Sequence, residues 1–383
     1  MVSASVGVAA TDVADTPVVV VIVGIRSQFI KLAAFQRGIA RWRAMGHVTP
    51  GFCFVNAGQH YDDELARQYL DELDVQIDVD LTRSRTPSTV PTEVAAEMLV
   101  ALHALLSEYA ASPGVLCVVV FGDADTTLAG ALAARRAGLP IVHVEAGVRT
   151  GDRRSVEESN RLVADRLADL HFASTRRDLE ALQREGLDDS SLYVGDIVHD
   201  LVRELAPALE PPPEERLGYS LVTLHRAENT ADSATLGNIL EVLAERNARV
   251  VLIAHSRTQR HVAALDQSLR RVVTVRDSLP YRQFLALLRG ARYVVTDSGA
   301  VQRESFYLER RVLVRQDHVF WRTLVDGGVH RQVGGEQAEL VAGCEWIDAQ
   351  AIRPYPALDD FGEGDSVESI LSALAERDWL RRA

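Results

Sequence analysis

Short apolar runs alternate with amphipathic stretches along nearly the whole chain, and this alternation commits it to an α/β fold built on parallel strands. Strand-like runs at 17–24, 51–56, 115–121 and 140–145 are separated by helix-like stretches at 28–43, 61–73, 92–110 and 126–137, and a shorter unit follows at 170–174 and 176–185. Strands joined through helices return to the same end of a sheet, so they pair in parallel and bury both faces. The segment PALEPPPEERLG at 206–217 interrupts the pattern, and its consecutive prolines and flanking glutamates read as a stiff, solvated linker. Beyond it the alternation resumes, with YSLVTLH, RVVLIAH, RVVTV and ARYVVTDSG interleaved with helices at 233–247, 257–270 and 281–289. A last amphipathic helix, 366–382, is expected to cross back onto the first domain. The predicted architecture is α/β with two doubly wound Rossmann-like domains, 17–205 completed by 366–382 and 218–350, after a flexible tail at 1–16. Their carboxyl-end sheet edges are expected to face an interdomain cleft, where open α/β sheets bind ligands.

With 383 residues the chain can bury two cores. A formal charge of -13 argues against a nucleic-acid or membrane surface, so an anionic ligand must be held by a few local groups. The 41 basic residues include a single lysine, Lys31, close behind Arg26 at the end of the first strand. Lysine is a compact point charge where arginine is a wide planar fork, so a cramped anionic site could require it. Cys53, Cys117 and Cys344 are an odd number, two of them inside apolar runs, which fits buried thiols in a reducing compartment rather than a disulfide or zinc framework. The run VVVVIVG is too short to span a membrane and lacks a basic flank, so a cytoplasmic protein is expected.

The stretch HVEAGVRTGDRRSVEESNR gathers Glu145, Arg149, Asp152, Glu157, Glu158 and Arg161 just beyond a strand, and LCVVVFGDAD delivers Asp123 to the same sheet edge. Carboxylates crowded at one edge repel, which raises the pKa of one or more of them into a range suited to proton transfer near neutrality. Read only as helix caps and surface pairs, the same acids would carry no chemistry. Asp123 and Asp125 also have a spacing that could hold a divalent metal, but Lys31, arginines and helix N-termini already supply positive charge. In TDSGAVQRESF, Asp297 or Ser298 caps a helix whose free N–H groups, approached closely at Gly299, make an anion site. Glu304, about two turns in, could accept from paired ribose hydroxyls. GIRSQFIK offers Arg26, Ser27 and Lys31 at a second strand-to-helix turn, and neither motif matches a Rossmann glycine fingerprint or a P-loop. His225, in TLHRAENT, and His255 end neighbouring strands as candidates for acid, base or phosphate partner.

Taken together, GIRSQFIK, NAGQHYDDEL, GDADTTLAGALAA, HVEAGVRTGD, EESNR, TLHRAEN and TDSGAVQRES resemble the non-hydrolysing UDP-N-acetylglucosamine 2-epimerases, over residues 17 to 345. That resemblance implies the glycosyltransferase-B fold and a catalytic set of Asp123, Glu145, Glu157 and His225. It implies a nucleotide diphosphate set of Arg26, Lys31, Ser298, Gly299 and Glu304; Arg149 and His255, placed by their strand ends, are expected as further UDP-sugar contacts. Gln59 and His60 match a GQH segment near the sugar or a regulatory nucleotide-sugar site. The implied reaction acts on a UDP-N-acetylhexosamine: the C1–O bond to UDP breaks as C2 loses its proton, and the resulting glycal is reprotonated on the other face. No metal or redox cofactor is implied, and a homodimer is expected.

The chain departs from the family most in one loop. Where relatives read Arg-Asp-(Glu or Thr)-Thr-Glu-(Trp or Arg), it has Gln316, Asp317, His318, Val319, Phe320 and Trp321. Losing an arginine and an acid while gaining aromatic surface suits stacking of a planar group. A second function is therefore a glycosyltransferase on the same framework, moving N-acetylglucosamine to a small acceptor such as a heteroaromatic natural-product core. A third is a non-catalytic nucleotide-sugar sensor.

Overall fold

The structure, a computed structural model, describes residues 17–59, 63–84, 90–111, 114–211, 218–226, 229, 233–246, 249–254, 258, 267, 269–351 and 353–377. The tail at 1–16, linker residues 212–217, His60 and His255 lie outside the described residues. The chain divides into two compact units, Met1–Leu201 with Asp359–Ala383, and Val202–Leu358.

Unit 1 contains β1 (Val18–Val23), β2 (Gly51–Asn56), β3 (Val79–Asp80), β4 (Val115–Phe121), β5 (Ile141–Ala146), β6 (Leu170–Ala173) and β7 (Ser191–Tyr193). They form one parallel sheet in the order β3-β2-β1-β4-β5-β6-β7. The central strand β1, VVVVIV, is buried along its whole length, as a parallel strand covered on both faces must be. The order reverses between β1 and β4, so the loops leaving their carboxyl ends diverge and open the crevice in which doubly wound sheets bind ligands. Those loops lead to Arg26 and to Asp123.

Unit 2 repeats the plan with β8 (Ser220–Leu224), β9 (Val250–Ala254), β10 (Val273–Arg276), β11 (Tyr293–Thr296), β12 (Val312–Val314) and β13 (Arg331–Gln332), all parallel, in the order β10-β9-β8-β11-β12-β13. Its reversal falls between β8 and β11, whose ends carry His225 and Asp297.

The helix Ser366–Glu376 belongs to unit 1 and packs against the helix Arg26–Ala44. Its first turn lacks a side-chain cap of its own, and the buried Asp200 carboxylate accepts instead from the Ser366 and Val367 N–H groups at 3.0 and 2.9 Å. In 206–211, Pro207, Ala208 and Glu210 are exposed and Leu209 is buried. The Arg289 guanidinium donates to the carbonyls of Ala206 and Leu209 and so ties this piece to unit 2. No helix among the described residues is long and apolar enough to cross a membrane.

Candidate active site

Three strand ends supply the charged groups of unit 1. Beyond β1 the helix 26–44 carries Lys31 on its buried side. Beyond β4 the chain turns at Gly122, with φ of 68°, into Asp123. Near the end of β5, Glu145 also has φ of 68°, in a bulge where the pairing with β6 slips between Val144 and Ala146. A side chain in this left-handed region is costly and persists only where its surroundings fix it. The fixing contact here is an ion pair: Lys31 Nζ lies 2.8 Å from Glu145 Oε2, with the two side chains 4% and 5% exposed. A Cβ at Gly122 would fall 2.7 Å from that Nζ and 3.4 Å from Glu145 Oε1. The turn, the ammonium and the carboxylate fill one small space, and a guanidinium would overfill it, which accounts for the single lysine.

Asp123 pairs with the Arg161 guanidinium, which also reaches Glu158 at 2.7 Å. Glu158 accepts in addition from the Thr150 N–H and hydroxyl and from the Gly151 N–H, at 3.0, 2.9 and 3.0 Å. That buried carboxylate is committed to tying loop 147–155 to Arg161. Its neighbour Glu157 is exposed in the first turn of helix Val156–Leu167 and accepts from the Ser155 hydroxyl at 2.6 Å. Asn160 Nδ2 donates to the Asp123 carbonyl at 3.1 Å and to Asp125 at 2.9 Å, and Gln59 Nε2 donates to Asp125 at 3.2 Å. Gln59 Oε1 accepts from the Thr126 N–H at 3.1 Å, which makes Gln59 a brace for the helix start. Among the described residues no group of three or more His, Cys, Asp and Glu side chains is arranged to hold a metal ion. Arg149 forks onto Glu185 at 2.7 and 2.9 Å and reaches Asp165 at 2.7 Å, within the packing of the unit. Arg26 is exposed, with its guanidinium 5.2 Å from the centre of the Tyr69 ring.

In unit 2 the end of β8 meets the end of β11. The buried Asp297 carboxylate accepts from the N–H groups of His225 and Arg226 and from Asn229 Nδ2, at 3.1, 2.9 and 2.9 Å, and His225 Nδ1 lies 2.7 Å from it. Burial alone would raise this carboxyl, but the His225 contact and the surrounding donors hold it below its ordinary value. The imidazole, with a side chain 46% exposed, is thereby oriented with Nε2 turned away from Asp297. Ser298 caps the helix Gly299–Tyr307 by accepting from the Val301 N–H at 3.5 Å. Glu304, buried, accepts from the Tyr281 hydroxyl at 3.0 Å.

A family description, UDP-N-acetylglucosamine 2-epimerase, matches residues 49–375. The chain belongs to the UDP-N-acetylglucosamine 2-epimerase family. It is 30% identical over 371 residues to the UDP-2,3-diacetamido-2,3-dideoxy-D-glucuronate 2-epimerase of Pseudomonas aeruginosa, covering 94% of this chain and 99% of that one. A crystal structure of the Methanocaldococcus jannaschii UDP-GlcNAc 2-epimerase in complex with UDP-GlcNAc and UDP matches with a TM-score of 0.77 at 25% identity, over 94% of this chain and all of that one. The Neisseria meningitidis UDP-GlcNAc 2-epimerase bound to UDP-GlcNAc matches in fold, with a TM-score of 0.80 at 24% identity, over 94% of this chain and 100% of that one.

The loop that departs from the epimerase family pattern is folded onto the helix start. Gln316 Nε2 donates to the Asp297 carbonyl at 2.6 Å, and its Oε1 accepts from Gln302 Nε2 and the Phe320 N–H at 2.9 and 3.3 Å. Trp321 is 2% exposed, donates its indole N–H to the Gly299 carbonyl at 2.8 Å and has the Arg303 guanidinium 5.5 Å from its ring centre. Phe320 is half-buried, and a Cβ at Gly299 would come within 3.0 Å of its ring. The broad aromatic surface expected from the sequence is thus reduced to one ring, with Asp317 and His318 exposed beside it. A tryptophan whose N–H finds a carbonyl can be buried at little cost, and that is its situation here. In unit 1 the sequence reading missed Asn160, which braces Asp123 and Asp125, and in unit 2 it missed Tyr281, the partner of Glu304. The Glu158 to Arg161 spacing, one helical turn, was a readable sign of their pairing.

Proposed function

We propose that this protein inverts C2 of a UDP-N-acetylhexosamine, interconverting UDP-N-acetylglucosamine with its C2 epimer. The observation that carries the reading is the Lys31–Glu145 pair, a carboxylate held in a left-handed bulge by a buried ammonium and beside a turn that leads directly into Asp123. Lys31, expected at the diphosphate, is assigned instead to holding the Glu145 carboxylate in place. One carboxylate among Asp123, Glu145 and Glu157 removes the C2 proton while the electron pair of the C–H bond forms the C1–C2 double bond and expels UDP with the C1–O electrons. A second delivers a proton to the opposite face of C2 as a UDP oxygen returns to C1, so atoms and charge balance without a redox or metal cofactor. The N-terminus of helix 299–307, with Ser298, and Arg26 receive the departing diphosphate. His225, oriented by Asp297, hydrogen-bonds or protonates the leaving oxygen, and Glu304, set by Tyr281, takes the ribose hydroxyls.

The transferase reading rests on the aromatic loop, in which Trp321 is buried and Phe320 half-buried, so one ring remains to stack on an acceptor. A homodimer is proposed with the function: Val100, Val156 and Val163 leave apolar surface exposed on helices 91–110 and 156–167 of unit 1. The test is to incubate the protein with UDP-N-acetylglucosamine and, separately, with a UDP-2,3-diacetamido-2,3-dideoxyhexuronate, and to separate the C2 epimers by chromatography. A C2-epimerised nucleotide sugar from either supports the reading and assigns the substrate. UDP released only when an acceptor is added overturns it.

A further inference from the structure

His143 lies on β5 two residues before Glu145 and is fully buried. Its Nε2 is 2.7 Å from the Gly122 carbonyl, and its Nδ1 is 2.6 Å from Asp165 Oδ1. Asp165 is as deeply buried and receives the Gly147 N–H at 3.2 Å and the Arg149 guanidinium at 2.7 Å on its other oxygen. Burial alone would raise this carboxyl, but His143 and Arg149 hold it down at about 2, so it is ionised. The ring thus bridges the Gly122 carbonyl and the Asp165 carboxylate through its two nitrogens.

The contacts run in a chain, Gly122 to His143 to Asp165 to Gly147. One end adjoins Asp123, and the other lies two residues past Glu145. Parallel pairing of β4 with β5 ends at Phe121 and Val144, and one last backbone bond, from the Gly122 N–H to the Val144 carbonyl at 2.9 Å, stops one residue short of each carboxylate. A buried polar pair adds little stability once its desolvation is counted, and an apolar pair of similar volume would hold a strand as well. What this pair adds is a side-chain link that carries on from the last backbone bond, at Gly122 and Val144, past Glu145 to the Gly147 N–H.

We propose that His143 is a positioning residue for C2 epimerisation, whose two ring nitrogens lock the Gly122 turn, through Asp165, to the far side of the Glu145 bulge and so set the spacing of the Asp123 and Glu145 carboxylates. The inference rests on the epimerase reading above. Misplacing a reacting group by about 1 Å can cost roughly 100-fold in rate, and an effect of that kind falls on turnover rather than binding.

The test compares His143→Gln and Asp165→Asn with Glu185→Gln. The last removes an outer partner of Arg149 without touching the link. All are assayed for UDP-N-acetylglucosamine epimerisation at a temperature where urea melts show them folded. His143→Gln is expected to lower kcat by about 10- to 100-fold with KM within about twofold of the parent, while Glu185→Gln keeps the parent kcat. Asp165→Asn, which keeps the shape and removes the charge, is expected to follow His143→Gln, and it decides the matter if His143→Gln does not fold. A kcat close to the parent's in the folded His143 or Asp165 variant, or a raised KM at unchanged kcat, overturns the positioning role alone. A parent that leaves UDP-N-acetylglucosamine and the hexuronate unepimerised overturns both the function and this inference.

Discussion

Replacing Lys31 by methionine removes a buried cation while keeping a chain of similar length. The Lys31–Glu145 pair is separated by 2.8 Å, with both groups nearly sealed from water. Removing one partner of such a pair leaves the other charge buried without compensation, which costs about 3–5 kcal/mol. The left-handed backbone at Glu145, worth about 1–3 kcal/mol of strain, then loses the contact that opposes it. Lys31→Met should therefore lose about 3–5 kcal/mol of stability at neutral pH by urea unfolding followed through tryptophan fluorescence. The double variant Lys31→Met with Glu145→Gln should be more stable than Lys31→Met alone, since no buried charge is left unpaired. A single variant within about 1 kcal/mol of the parent, or a double variant no more stable than the single, would refute the role assigned to this pair.

Asp123→Asn, Glu145→Gln and Glu157→Gln should each keep UDP binding, measured by calorimetry, and lower epimerisation by about 10²- to 10⁴-fold; normal turnover in two of them would make these groups structural. Trp321→Ala should destabilise unit 2 by about 3–5 kcal/mol in denaturant melts, as removal of a core side chain does, whereas a ligand-stacking role would leave the melt unchanged. Burial raises the Asp200 carboxyl to about 6, above its unfolded value, so its contribution to stability is fully present below about pH 4 and is lost as pH rises through 6, to the extent of about 3 kcal/mol. Asp200→Asn should flatten that part of the Tm-against-pH curve, and an unaltered slope would contradict the assignment.

Much of the fold was legible because buried parallel strands write themselves as apolar runs. VVVVIV and LCVVVF could be little else, and the helices between them carry a clear amphipathic pattern. The two-residue strands Val79–Asp80 and Arg331–Gln332 were not legible, because a pairing that short has no period and is recruited by its neighbour. At 269–276 a short helix runs to Val272 before the strand begins, where the apolar valines alone suggested a strand from 271. The charged residues of the site could be picked out, but their partners could not. The single lysine was visible as an exception, yet nothing in the sequence pattern points across the sheet to Glu145, and the left-handed bulge that turns Glu145 toward it has no sequence signature. Trp321 was expected at the surface because its loop exchanges an arginine and an acid for aromatic groups that could stack a ligand, and its burial depends on a carbonyl at Gly299 that only the fold brings near.

The central claim is that C2 of the sugar loses and regains its proton, and solvent exchange tests it most directly. The protein is incubated with UDP-N-acetylglucosamine in deuterium oxide, or with the hexuronate if that is the sugar it epimerises, and the nucleotide sugars are then examined by proton NMR. The account predicts that the C2-epimerised product carries deuterium at C2, that the substrate pool gains it on approach to equilibrium, and that Glu145→Gln suppresses both. A C2-epimerised product retaining its original hydrogen at C2 would contradict the account.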